Sequence, residues 1–579
     1  MDTKPIAITG SMFKRHGAWF ALFQQGGAYG DTSLYLGTCH GMSAKAPDGN
    51  KLIYIYPTHE GRKVPFTIQV FPAELVLHTA YGDARFTYAS TVQMIAEGDP
   101  GVGLLFEKET AQHETVNRKR DGAWEAVFRV TNSFLFKGLE GSTFDFNDGK
   151  NYWDWEKLSS GKVQGRTHPA PDGKFTLVME EFPYAAFVRK SYPTYAEAKA
   201  SMQDDWDSFY AKMPAFKGKL EEKRRDEEYT LWSYITSPYG LARYPMIQMF
   251  AGIMASQWQM CQNAVALQEH LDLAIGLLLG PLDRQSAEGQ LADGYDDFAC
   301  EKQLIKPPIH GWAIQQIMKH HDLKKEVSAD KLEMLYRGMG AWGDWFMNYK
   351  DEDDDGLPTL DHGDETGLDD STLFLEHLQV TSPDIAAYLV ILFEAVAQLG
   401  EILEKPQAEI DAWYKKSRDL LGRLIEKLWD GEHFIGFDPW TGEKLFSGSI
   451  VHYMPCILGD RLPAEILDKM VADLSDPKTF NSPFGLASED MGSDWFCPSG
   501  GSIGRGVVVP PAMLYICTGL WDSHQKPAAR DFAQKYCEAL ANANFPFLIN
   551  PQTGSGSAYF GGSWPRCAYT ILGRMLAED

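Results

Sequence analysis

The chain has 579 residues, 44% of them hydrophobic and 23% charged, and a formal net charge of −25. That length calls for more than one core, and the charge excludes a general affinity for nucleic acid, anionic membranes or anionic polysaccharides. Aromatic residues reach 13%, with 16 Trp and 25 Tyr; sugar clefts use such rings, although composition alone favours a ring-rich core. The eight cysteines are scattered, with no Cys-x-x-Cys and no Cys/His pair at zinc spacing. They read as free thiols in a reducing, cytoplasmic compartment. The stretch Met1 to Gly17 lacks the apolar core of a signal peptide.

To about residue 215 the pattern is β. Phe66-Thr-Ile-Gln-Val-Phe, Arg85-Phe-Thr-Tyr-Ala and Ala126-Val-Phe-Arg-Val alternate or run as short β-branched and aromatic stretches. Turn signals separate them at Pro47-Asp-Gly-Asn, Tyr81-Gly-Asp, Asn147-Asp-Gly-Lys and Pro171-Asp-Gly-Lys. Many short strands with such turns predict an antiparallel β-sandwich over residues 1–215. The charged stretch Lys217 to Glu228 joins the halves or opens the first helix. From 216 to 579 the period becomes helical, with amphipathic stretches near 229–237, 246–280, 310–322, 330–349, 408–428, 463–474, 509–519 and 526–543. Between Asp384 and Leu403 the apolar positions Ile385, Leu389, Leu392, Val396, Leu399 and Leu403 mark one buried helix face. Glu394, Gln398 and Glu401 interrupt that stretch, which reads as too short and too polar to cross a bilayer.

Chemistry concentrates in the loop from Lys350 to Leu375. Asp364, Glu365, Asp369 and Asp370 fall within seven positions, and carboxylates this close cannot all ionise freely, so one keeps its proton near neutral pH. A protonated carboxyl beside a carboxylate is the pair that glycoside hydrolysis needs; from charge alone, a solvated acidic loop capping the next helix explains the segment as well.

The order of residues adds to this. Glu365-Thr-Gly-Leu-Asp369-Asp-Ser resembles the E-S-G-x-D-x-S segment of trehalases and of glycoside hydrolase family 63, which includes processing α-glucosidases and mannosylglycerate hydrolases. Asp353-Asp-Asp-Gly-Leu-Pro and His362-Gly are similar to that family's lead-in. Glu288 to Asp296 with Pro307-Pro-Ile-His-Gly-Trp, Phe484-Gly-Leu-Ala-Ser with Gly504-Arg-Gly-Val-Val-Val-Pro, and Asn550-Pro-Gln-Thr-Gly with Gly562-Ser-Trp resemble it in the same order. The resemblance covers about residues 227 to 579. It implies an (α/α)6 barrel, a toroid of paired helices, following the β-sandwich.

It also implies roles. Asp369 matches the aspartate that donates a proton to the leaving oxygen. Glu365 and Asp370 become neighbours that orient the sugar or tune the acid. Arg505 matches an arginine that binds a sugar hydroxyl or a carboxylate substituent, or else makes a structural ion pair. Trp312 and Trp564 are candidate sugar platforms, and His362 a candidate sugar ligand or acid/base group, each with an ordinary core or structural role as the plain alternative. The sequence departs from the family at the general base, a glutamate just before the terminal D-P-x-T-G. Here that stretch is Asn544-Phe-Pro-Phe-Leu-Ile-Asn-Pro, and no carboxylate lies between Glu538 and Glu578. Inversion needs a second carboxylate, about 6.5–9.5 Å from the acid. Glu489 is preferred for it, with Asp293, Asp296 and Asp297 in reserve.

The expected activity is therefore an inverting, exo-acting glycosidase on a small α-linked gluco- or manno-type saccharide or glycoside, with a small carbohydrate as partner and no cofactor. The missing base keeps two alternatives open, a sugar epimerase or lyase on the same barrel and a non-catalytic sugar-binding protein. Asp351-x-Asp353-x-Asp355-Gly356 opens like an EF-hand loop, but position twelve is His362 rather than a bidentate Glu. A structural Ca2+ there is the lesser reading, and no metal is assigned. Gly554-Ser-Gly-Ser has no phosphate-loop context.

Overall fold

The computed structural model describes residues 4–6, 12–26, 32–41, 50–109, 114–128, 133–147, 161–499, 501–556 and 562–578. Most of the turns expected at Pro47 to Asn50 and Asn147 to Lys150 lie outside these residues, as do Arg129, Val130 and Ser557.

Two antiparallel sheets occupy residues 12–182. The first runs in the order Met12–Phe13, Phe20–Gly26, Thr32–Thr38, Lys51–His59, Gly103–Glu109, Lys162–His168 and Thr143–Phe146, with Arg62–Lys63 hanging on Lys51–His59. The second runs Thr115–Arg118, Trp124–Val127, Ser133–Leu139, Phe175–Phe182, Gln93–Gly98, Gly82–Ser90, Glu74–Thr79 and Thr67–Phe71. Alternation along the strands turns one ring-rich face of each sheet inward. Phe20 meets Phe134 edge-on at 5.3 Å and Phe106 meets Phe136 at 5.4 Å between ring centroids. Such pairs contribute roughly 0.5–1.5 kcal/mol each beyond buried area. Much of the aromatic content is thus core.

Helix Tyr195–Tyr210 follows the sheets. Thr194 and Glu197 form a capping box at its start, and Met202, Trp206 and Phe209 are buried. This helix was not expected. The charged stretch after it opens helix Glu221–Tyr234. The expectation of a helix from residue 246 fails at its first part: Met246–Phe250 and Ile253–Met254 pair as a hairpin around Gly252, and helices begin only at Gln257–Ala266 and Leu271–Leu282. Met, Ile and Phe suit either state, and strand pairing of Met246–Phe250 with Ile235–Thr236 decides it.

Among the described residues, six helical segments pack in a closed ring. Gln257–Ala266 touches His310–Met318, which touches Pro383–Ile402, then Ile450–Arg461, Pro510–Trp521 and Ser563–Glu578, which returns to Gln257–Ala266. Six others lie against this ring: Glu221–Tyr234, Leu271–Leu282, Ala329–Tyr349, Gln407–Leu428, Ala464–Ser475 and Lys526–Asn542. Two ring members lacked a clear helical period. Ile450–Arg461 is a 3-10 stretch broken by Pro455 and Gly459, and Ser563–Glu578 is buried over most of its first three turns. Pro383–Ile402 proves long and apolar enough to cross a membrane by length and composition, but 78% of its apolar window is buried inside the protein. Its apolarity comes from touching neighbours on several sides.

Candidate active site

A cavity of about 500 Å³ opens at one end of the helical ring, a size typical of small-molecule sites. Its wall combines the hairpin at 246–254, Trp258, the loop 293–301, Lys306, Gly367 and Asp369 of the acidic loop, Phe547, Leu548 and Trp564. Gly41, from the end of a strand in the first sheet, completes one side.

Short strands Thr359–Leu360 and Val380–Thr381 pair and pinch residues 361–379 into an excursion at this mouth. Within it the carboxylates are individually held. Glu365 is buried and accepts the Asp361 N–H at 2.8 Å and the Lys350 ammonium at 3.2 Å. Asp370 Oδ1 accepts the N–H groups of Ile503 and Gly504 at 3.0 and 2.6 Å. Gly367 has φ 77°, and a Cβ there would lie 2.2 Å from the indole of Trp258. The motif glycine thus lets the backbone reach the left-handed region and press on a ring of the cavity wall.

Asp369 differs from these neighbours. Its side chain is 43% exposed and lines the cavity. It shares a hydrogen bond with Asp364, and Lys306 Nζ lies 3.7 Å from Asp369 Oδ1 and 2.9 Å from Asp364 Oδ2. Burial, then the bond to Asp364, push the Asp369 carboxyl up to about 7 against the pull of Lys306. Burial also opposes ionisation of Asp364, but the hydrogen bond from Asp369 and the ammonium of Lys306 outweigh it and hold that carboxyl below its usual range. One proton is therefore shared unequally, and Asp369, the member facing the cavity, keeps it. The spacing of acids predicted such a pair without naming its members. Lys306 was missed; its signal was an isolated lysine between Ile305 and two prolines.

The stretch where the family carries its base is apolar. Phe547 lines the cavity and packs on Trp564 at 4.9 Å and Phe250 at 4.8 Å. The other carboxylates on the wall are Asp293, Asp296 and Glu301. Asp293 is 9% exposed, and its charge is the first of three that hold the proton on buried Lys306 against desolvation, ahead of Asp369 and Asp364. Asp296 Oδ1 accepts two backbone N–H groups at 2.7 Å, and burial raises its carboxyl. Among the described residues, Asp296 Oδ2 and Trp564 Nε1 are buried without a hydrogen-bond partner. Such groups are uncommon in folded proteins.

The remaining expected site residues are absent from the cavity lining. Glu489, preferred as base, is fully buried and accepts hydrogen bonds from Thr372 and Ser493, both at 2.7 Å. It braces the acidic loop from below and is absent from the cavity lining. Arg505 Nε donates to the carbonyl of Asp370 at 3.0 Å, and its guanidinium lies over Trp495. Trp312 is 3% exposed and donates to Thr518 at 2.9 Å within the ring core. His362 Nδ1 accepts the N–H of Asp364 at 3.0 Å, so it positions the acid pair from outside. Asp297, a reserve for the base, pairs with His40 Nδ1 at 2.8 Å, while His40 Nε2 lies 3.2 Å from Glu181. Burial works against a charge on His40, but the two carboxylates raise it to about 9. This buried trio ties the sheets to the loop 293–301.

At the acidic run, carboxylate oxygens of Asp351, Asp353 and Asp355 lie within 4.8 Å of one another. Asp351 accepts the N–H groups of Asp355 and Gly356, both at 3.0 Å, and Lys427 Nζ is 3.1 Å from Asp355. The loop answers part of its own charge, and it stands outside the cavity lining.

Residues 282–564 match the family model of the mannosylglycerate hydrolase MGH1-like glycoside hydrolase domain. The chain is similar to the crystal structure of a family 63 mannosylglycerate hydrolase from Thermus thermophilus in complex with glucose. That likeness has 16% identity and a TM-score of 0.50, over 62% of this chain and 99% of that one. It is equally similar to an uncharacterized conserved protein from Thermus thermophilus, at 16% identity and a TM-score of 0.50 over the same shares. At that identity the likeness shows a shared fold. No curated protein matches the chain.

Proposed function

We propose, from the match of residues 282–564 to the MGH1-like glycoside hydrolase family model, an inverting, exo-acting glycosidase for a small α-linked gluco- or manno-type glycoside. The observation that carries this reading is the unequal pair, with Asp369 lining the cavity and holding its proton to about 7. The ring of six helical segments with six outside supports an (α/α)6 barrel over 216–579, mounted on a β-sandwich over 1–215. The eight free thiols support a cytoplasmic setting.

In this mechanism the sugar sits in the cavity lined by Trp564, Asp296 and Asp369. Asp369 delivers its proton to the glycosidic oxygen as the bond to the anomeric carbon breaks. Asp364 accepts the hydrogen bond that keeps the proton in place beforehand, and Lys306 balances the charge left afterwards. Asp293 is the wall carboxylate best suited to deprotonate the attacking water. Glu489 could serve only by leaving its buried bonds to Thr372 and Ser493. Proton NMR during hydrolysis of an α-glycoside tests the reading: the β-anomer of the free sugar is expected first. Initial α-anomer would overturn inversion.

The apolar wall at Phe547 favours one second reading, non-hydrolytic sugar chemistry on the same barrel. It predicts an isomer or an unsaturated sugar in the same NMR experiment, and no free inverted sugar.

A further inference from the structure

Resting on the glycosidase reading, we infer that the aglycone this cavity accepts is neutral and apolar, an aryl or alkyl group rather than a sugar or a carboxylate-bearing one. The hairpin at 246–254 forms a rim of half-buried apolar side chains: Met249, Phe250, Ile253 and Met254 all line the cavity. Ile503 and Leu548 extend this surface. Phe250 also packs on Phe547, which continues to Trp564, so an unbroken aromatic path leads from the rim to the inner wall. A disaccharide's second sugar would face methionine, isoleucine and phenylalanine where its hydroxyls need partners. An aryl or alkyl group loses water against the same side chains at no such cost, and methionines adapt to its shape.

Charge points the same way. Among the described residues, four acids line the cavity, Asp293, Asp296, Glu301 and Asp369, and one cation, Lys306. That ammonium already donates to the Asp364 carbonyl at 2.6 Å and pairs with its carboxylate at 2.9 Å. Arg505, matched to an arginine that binds a sugar hydroxyl or a carboxylate substituent or makes a structural ion pair, donates its Nε to the Asp370 carbonyl and is absent from the lining. A carboxylate on the aglycone would give up water among acids, with its one nearby cation engaged.

The rim is also fixed in place. Gln248 is fully buried and accepts the Gly252 N–H at 2.9 Å. At Gly252, with φ 85°, a Cβ would lie 2.4 Å from the Asn50 amide of the first sheet. The sheets thus press the hairpin into the cavity wall.

Titration calorimetry on the full-length Asp369→Asn protein tests this without turnover. Methyl, phenyl and carboxymethyl α-glucosides and α-mannosides, with the matching α-disaccharides, are compared. For whichever sugar binds, the phenyl glycoside is expected to bind about tenfold tighter than the methyl one, and the carboxymethyl no tighter than the methyl. Adding Phe250→Ala should remove the phenyl advantage and leave methyl binding unchanged; Met254→Gln, at the half-exposed rim, gives the same comparison if the Phe250 variant does not fold. Tighter binding of the carboxymethyl glycoside or the disaccharide, or no binding at all, would overturn the inference. Failure of hydrolysis in the NMR experiment would instead overturn the glycosidase reading and leave the aglycone preference measurable by binding.

Discussion

Two stretches border the same cavity and could hardly be less alike. Residues 361–372 crowd carboxylates into an excursion in which Asp361, Glu365 and Asp370 have structural partners, and Asp364 and Asp369 have each other. Residues 545–549 run Phe-Pro-Phe-Leu-Ile, and the four apolar side chains flanking Pro546 are buried. The first stretch has what proton donation needs. The second, where the family pattern places the water-activating glutamate, contributes surface and no charge. The contrast means that acid and base need not be supplied by one coherent motif. On the proposed reading the base role falls to a carboxylate of the loop 293–301, where Asp293, Asp296 and Glu301 line the cavity.

The largest effect that sharpens this contrast is expected at Asp293. Asp293→Asn should lower kcat by roughly 10³-fold, the scale of a lost general base, with the fold intact by circular dichroism. Full activity would return the base to Glu489 or to another route. Next is the tie between the sheets and this loop. His40 is raised above its unfolded value of 6.5 to about 9, so its pairing stabilises fully below pH 6.5 and the gain is lost as pH rises through about 9. His40→Gln should therefore cost about 3 kcal/mol at pH 6 and much less at pH 10, as read by urea denaturation at each pH. An equal cost at both would remove the imidazolium from the account. A smaller effect belongs to Asp364. In the native protein kcat should fall as pH rises through about 7, because Asp369 must be protonated. Asp364→Asn removes the charge that helps hold that proton, so the alkaline limb should move to lower pH, with kcat at pH 7 down about tenfold. An unmoved limb would show that Asp364 does not tune the acid.

How far the sequence could be read differs in the same two places. Strand alternation and helical spacing made the order of sheets then helices legible, because those periods follow directly from which side chains face a core. The helix at 246–254 was misread because Met, Ile and Phe carry no preference strong enough to outweigh pairing with Ile235–Thr236. Ile450–Arg461 escaped because Pro455 and Gly459 break its period while ring packing holds it. In the acidic loop, local crowding announced a shared proton, and the motif singled out Asp369. Lys306, the rim hairpin and Gly41 could not be found that way, since they join the cavity through contacts between residues far apart in the chain. Glu489 shows the converse: a carboxylate in a promising loop points inward to Thr372 and Ser493, a direction that only the fold sets.

The central claim is that Asp369 gives its proton to a departing oxygen. It is tested most directly by comparing Asp369→Asn on two substrates with the same sugar, a methyl α-glycoside and the α-glycosyl fluoride, whose leaving group needs little protonation. Loss of roughly 10³-fold on the glycoside with a loss of tenfold or less on the fluoride is the expected result. Equal losses on both, or no loss on either, would contradict the assignment.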